Sequence, residues 1–223
     1  MKTRILCAAL LTTGLFVSSA SFAQLNLQQF GIGGGNSSGN AGGAASSGGI
    51  GQLLQTYVGA NQQVLSGQSS LASAMGLSGA ASQAQQASGL LSGGTPSVSQ
   101  LSQVGSTQQS LSQTLTQAFT SRASDPSTPV DKQAFTNGLT SLGQGVSQYS
   151  SLQSSLGSVG QMNPSSLLQA GMNPQTAQAA SYIAQSAPGQ LQSLASTLSA
   201  AVQFASSHGI SVPSIATSAL KGF

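Results

Sequence analysis

Apolar residues recur through this chain at alternating intervals of three and four, and that spacing limits what it can fold into. Between Gln190 and Ile210, Leu191, Leu194, Leu198, Ala201 and Ala205 follow it, with Ala195 and Val202 beside them. The spacing draws one apolar stripe along an α-helix. A helix with such a face must bury it against other helices. Pro188-Gly189 stands before the stretch and Gly209 directly after it. Gly209 reads as a left-handed cap residue, with Ile210 as the apolar contact that accompanies such caps.

The same period appears upstream. Ile50, Leu54, Tyr57, Asn61, Val64, Gln68, Leu71 and Met75 alternate at four and three. Asn61 and Gln68 fall on that otherwise apolar seam. A buried amide there can fix helix register at some cost in stability; alternatively, the seam is wet and both amides reach water. Residues 79–91 predict a weaker, Ala-rich helix carrying Ala80, Ala84, Ala87 and Leu91. Thr95-Pro96 then reads as N-cap and first helical residue. The helix it starts carries Val98, Leu101, Val104, Leu111, Leu115, Ala118 and Phe119, and ends near Arg122.

Residues 124–127 predict a loop. Thr128-Pro129-Val130-Asp131 reads as another helix start, the acid favouring the positive end of the helix dipole. Phe135, Leu139, Leu142, Val146, Tyr149, Leu152, Leu156 and Val159 share the face that follows. Gly138, Gly143 and Gly145 interrupt it. Each costs about 1 kcal/mol relative to Ala, or marks a close helix approach. Met162-Asn163-Pro164 and Met172-Asn173-Pro174 repeat ten residues apart. Each Asn-Pro reads as cap and first residue, giving a short helix at 164–170 and a longer one at 174–187. Pro188 is expected to break the latter. A last short helix is expected over 213–220.

The expected fold class is therefore all-α, an antiparallel helical bundle of about four to six helices over residues 50–220. Ser is frequent on these helices and is a mediocre helix former, so tertiary packing must supply the stability. Residues 24–49 are low in complexity: after Leu25, Leu27, Phe30 and Ile32 they become almost wholly Gly, Ser, Ala and Asn, and predict a disordered Gly/Ser-rich N-terminal tail. Gly35-Asn36-Ser37-Ser38-Gly39 in that tail matches the G-x-S-x-G nucleophile elbow only formally. The elbow needs a strand before it and a helix after it, and here glycines flank it.

Residues 1–23 have the make-up of a secretory signal peptide. Lys2 and Arg4 precede an apolar run from Ile5 to Val17, and Ser21-Phe22-Ala23 forms a small-x-small cleavage site. The run is short for a membrane span, which needs about 20 apolar residues. Cys7 lies at the start of the run, with no room before it for the hydrophobic region a lipoprotein signal requires. The expected mature chain is Gln24 to Phe223, exported to the periplasm or beyond, without a transmembrane segment.

That mature chain carries Arg122, Lys132 and Lys221 against Asp125 and Asp131, with no glutamate or cysteine. Three scattered bases make neither a phosphate-binding stripe nor a polybasic membrane patch. No nucleic-acid partner is expected. Disulfides are impossible without cysteine. A metal centre needs three or four ligands, and His208, Asp125 and Asp131 are the whole conventional supply. Asp125 and Asp131 read as a turn former and a helix-start acid rather than as an acid–base pair. His208 could complete a Ser-His-Asp triad by arithmetic alone. Its place just before Gly209 instead suits a helix C-terminus. Phosphate cradles of the G-x-x-x-x-G-K-[ST] type are missing. No catalytic, cofactor-binding or metal residue is therefore assigned.

Ala60-Asn61-Gln62-Gln63-Val64-Leu65, Tyr182-Ile183-Ala184 followed by Ala187-Pro188, and Phe204-Ala205 leading to His208-Gly209-Ile210-Ser211-Val212-Pro213 carry a resemblance. Together they resemble a group of uncharacterised exported helical proteins of Gram-negative bacteria, over about residues 50–220. The resemblance implies a helical exported domain and no particular activity.

Two functional expectations follow. One is a non-enzymatic exported helical protein, a structural or binding component of the envelope or extracellular space, with an unknown protein or envelope partner. The other is a self-assembling matrix or amyloid-like protein, suggested by Gln, Ser and Gly richness and by charged residues at only 3 % of the chain.

Overall fold

A computed structural model describes residues 44–123, 129–159 and 173–222. The readings that fall elsewhere lie outside the described residues: the signal peptide, most of the tail, the loop with Asp125, and the helix at 164–170. Among the described residues the protein is all-helical. The helices are α1 (Ala44–Ala74), α2 (Ser78–Gly89), α3 (Val98–Ala123), α4 (Lys132–Val159), α5 (Pro174–Ser207) and α6 (Ser214–Leu220). They belong to one compact unit, Ala41–Phe223.

The apolar faces read from the spacing are the ones buried. Leu65, Leu71, Leu101, Leu115, Leu139, Leu142, Val146, Ile183 and Leu198 are all fully shielded from solvent. Each such side chain contributes about 1.5–3 kcal/mol relative to exposure. Successive helices alternate in direction. Gly138, Gly145 and Leu142 of α4 meet Leu71, Val64 and Gly67 of α1, so the numbering falls on one helix as it rises on the other. The short α2 returns the chain, so α1 and α3 run the same way: Asn61 pairs with Gln108, and Gln68 with Ser112. One end of the bundle is an aromatic cluster. Phe119, Phe135 and Phe204 lie 5.4–5.7 Å apart between ring centroids, drawn from α3, α4 and α5.

The helix ends follow local chemistry, with several corrections to the sequence reading. Ser97, not Thr95, starts α3. Its Oγ accepts from Gln100 N at 3.3 Å while Gln100 Oε1 accepts from Ser97 N at 2.8 Å, a reciprocal capping box. Asp131 is itself the cap of α4, its Oδ1 accepting from Gln133 N and Ala134 N, both at 3.0 Å. Asn173 caps α5 as the Asn-Pro pair predicts, accepting from Gln175 N at 2.9 Å. Gly209 adopts φ 61°, and Ile210 N donates to Ala205 O at 2.9 Å, closing a Schellman motif. Gly76, φ 69°, ends α1 in the same way, with Leu77 N donating to Ala72 O at 2.8 Å.

Two helices are longer than the spacing predicts. α1 begins at Ala44 rather than Ile50. α5 runs unbroken from Pro174 to Ser207 with Pro188 inside it, so the 174–187 and 190–207 segments are one helix. Pro188 and Gly189 are both exposed. Proline removes the hydrogen bond to the carbonyl four residues back. On the outer side of a helix, water can serve that carbonyl and the apolar stripe beneath continues to pack.

Candidate functional site

Most buried faces of the bundle are apolar, but the region where α1, α3, α4 and α5 meet near mid-length carries a polar layer. It is built from seam positions. On α1, Asn61 and Gln68 occupy the heptad positions between Tyr57, Val64 and Leu71, and both are fully buried. The wet-seam alternative is thereby corrected: both amides are bonded within the protein. Asn61 Nδ2 donates to Tyr57 O at 2.7 Å, and its Oδ1 accepts from Gln108 Nε2 at 2.8 Å. Gln68 Nε2 donates to Gln108 O at 3.2 Å and to Ser112 Oγ at 3.0 Å.

A second part of the layer centres on Gln190 of α5. Its Oε1 accepts from the hydroxyls of Tyr57 at 2.8 Å and Tyr149 at 3.0 Å. The two tyrosine rings meet edge to face, 5.5 Å between centroids, a favoured aromatic geometry. Desolvation by burial raises the Tyr57 hydroxyl pKa above its ordinary 10.0. It raises Tyr149 well above that value, and the neighbouring Tyr57 charge would raise it further. Both phenols are thus held neutral, as hydrogen-bond donors.

Outside this layer, between α3 and α5, lies a cleft of about 390 Å³. Gly105, Gln108 and Ser112 line it from α3, and Tyr182, Ser186, Gln190 and Ser193 from α5. Gly105 leaves room at its base: a Cβ there would stand 2.5 Å from Gln190 Nε2 and 3.1 Å from the Tyr182 hydroxyl. Tyr182 is fixed by donating to Leu101 O at 3.3 Å. None of the residues lining the cleft carries a charge. Two buried acceptors in this region, Gln68 Oε1 and Gln108 Oε1, have no hydrogen-bond partner. An unpaired buried acceptor costs about 1–3 kcal/mol, so each calls for a donor.

The residues weighed for chemistry lie elsewhere. His208 is the C-cap of α5. Its Nδ1 lies 2.9 Å from Phe204 O and 3.0 Å from Ser207 Oγ, and its ring stacks on Phe204 at 3.9 Å. Asp131 is committed to capping α4. Among the described residues, no group of three His, Cys, Asp or Glu side chains could hold a metal, and no helix is long and apolar enough to cross a membrane.

The polar layer was only half visible in the sequence. Asn61 and Gln68 stand out because they interrupt a seam. Gln108 interrupts one as well, filling the gap between Val104 and Leu111 at the same three-four spacing, and Gln190 sits between Ala187 and Leu194 in the same way. Reading the polar occupants of heptad positions, rather than the apolar ones alone, would have found both. No protein-family model, curated protein or solved structure matches this chain.

Proposed function

We propose that this is an exported, non-enzymatic helical protein that acts as a binding or structural component of the bacterial envelope or the extracellular space. The observation that carries the reading is the N-terminal pattern of Lys2 and Arg4, an apolar run to Val17 and Ser21-Phe22-Ala23, joined to a helical bundle. The resemblance to exported helical proteins of Gram-negative bacteria supports the same placement. The non-enzymatic part rests on inventory. Beyond the signal, the chain offers one histidine and two aspartates, and His208 and Asp131 are engaged at helix ends.

Cell fractionation with N-terminal sequencing tests the reading. The protein should leave the cytoplasm and begin at Gln24. Cytoplasmic retention with Met1 intact would overturn the export claim. A measured activity abolished by His208→Ala in a folded protein would overturn the non-enzymatic claim. The low content of charged side chains, 3 %, favours self-assembly as a second reading, since like-charge repulsion gives little protection against association. Fibre diffraction on aged protein separates the two: a reflection near 4.7–4.8 Å marks the fibrillar alternative.

A further inference from the structure

We propose that Asn137-Gly138 is a deamidation site, open in the unfolded chain and closed by α4 in the folded protein, so that isoaspartate marks chains left unfolded and bars them from the native fold. The proposal is independent of the export reading and goes beyond it.

Asn137-Gly138 is the one Asn-Gly pair in the chain, and the chemistry is intrinsic to the pair. The Gly138 backbone nitrogen attacks Asn137 Cγ. The N–Cγ bond forms, the Cγ–Nδ2 bond breaks, and ammonia leaves with the proton of the attacking nitrogen. Water then opens the succinimide. Breaking the N–Cγ bond gives aspartate. Breaking the bond to the Asn137 carbonyl carbon gives isoaspartate, whose backbone runs through Cβ and Cγ. Glycine in second place favours the attack, because no side chain hinders its nitrogen and its backbone turns freely.

The fold withdraws that freedom. Gly138 lies inside α4 (Lys132–Val159), beyond the first turn, so the helix ladder engages its N–H with the Ala134 carbonyl. Helical ψ, about −42°, fixes the peptide plane and keeps the nitrogen from rotating onto Cγ. Gln133 Nε2 donates to Asn137 Oδ1 at 3.2 Å and holds the carboxamide along the helix. Asn137 is exposed, so water reaches it; conformation, not access, protects it.

Packing explains why the labile pair stays and why its product matters. A Cβ at Gly138 would stand 2.7 Å from Leu71 Cγ and 2.9 Å from Leu71 N, so the approach of α1 to α4 demands the glycine. Isoaspartate inserts a methylene into the backbone immediately before that approach. It breaks the helix ladder and displaces Gly138 from Leu71. Aspartate leaves the backbone as it was, at an exposed position where a charge stays solvated.

The test holds the purified protein at neutral pH, folded in buffer and unfolded in guanidinium chloride. Residue 137 is followed by peptide mass spectrometry and isoaspartyl methyltransferase labelling. Conversion should be about tenfold or more faster in the unfolded chain, the ratio reporting how rarely α4 opens. Asn61, followed by Gln62, should convert more slowly than Asn137 in that chain. On return to buffer, chains with isoaspartate at 137 should stay out of the native pool separated by size exclusion, while chains with aspartate there enter it. Asn137→Gln, aged in the same way, should refold undiminished. Should wild type not refold from denaturant, the partition is read after partial thermal unfolding, where isoaspartate should again be depleted from the native pool. Equal conversion in folded and unfolded protein overturns the proposal. So does a native pool that carries isoaspartate in the same proportion as the non-native one, or an aged Asn137→Gln that loses as much native protein as wild type.

Discussion

Gly67 of α1 lies directly on the backbone of Leu142 in α4: a Cβ at Gly67 would stand 2.6 Å from Leu142 N and 2.9 Å from its Cα. Backbone cannot swing aside as a side chain can. The same closeness recurs where Gly145 meets Val64 and Gly138 meets Leu71. These glycines weaken their own helices by about 1 kcal/mol each and in return let the α1 and α4 axes approach. Gly67→Ala should therefore destabilise the protein by about 1–3 kcal/mol despite its better helix propensity. Gly59→Ala, whose Cβ would meet only Gln148 Oε1 at 3.9 Å, should stabilise by about 0.5–1 kcal/mol. Urea denaturation of the two variants checks the opposite signs.

Gln190→Leu should cost about 2–4 kcal/mol, because it strands the buried Tyr57 and Tyr149 hydroxyls at once. Made in a Tyr57→Phe/Tyr149→Phe background, the same change should cost far less, since no hydroxyl is left unpaired. Chemical denaturation across this mutant cycle measures the difference. Equal costs in the two backgrounds would show that the hydrogen bonds do not couple Gln190 to the tyrosines.

Stability should be nearly flat from about pH 4 to pH 9, because so few groups titrate, and should fall in alkali. The sign follows from the phenols. Burial raises the folded-state pKa of Tyr57 and Tyr149 above 10.0, so the unfolded chain loses these protons first. Their contribution is complete below about pH 10 and is lost as pH rises from there through the folded-state values. Melting temperatures across the range test this, and Tyr149→Phe should soften the alkaline fall.

Pro188→Ala should stabilise α5 by about 1–3 kcal/mol by restoring an amide donor to the Ala184 carbonyl. The site is exposed, so no packing is lost. An unchanged or lower melting temperature would mean that the proline's restriction of the unfolded chain outweighs the missing bond.

Much of the helix pattern was legible because its signals are local. Leu191, Leu194, Leu198 and Ala201 declare their shared face by spacing alone. Gly209 and Ile210 declare their cap because only a few residues take a left-handed turn cheaply. Pro188 misled for the same reason: its local penalty is real, but its exposure, which makes the penalty bearable, depends on which way the helix faces in the bundle. Thr95-Pro96 misled because Ser97 and Gln100 together satisfy two backbone groups at once, which a single capping Thr does not.

The sequence by itself determined that this chain is helical, which faces are apolar, and that its supply of charge and metal ligands is very small. Periodicity and composition carry those facts, since each depends on neighbours within a few residues. Only the tertiary structure decided that Gln108 meets Asn61 across 47 positions of chain, and that Gln190 joins two tyrosines 133 and 41 residues away. Whether a buried amide is stranded or satisfied is a property of helix register. Register was set by close contacts such as Gly67 on Leu142, which no local spacing encodes.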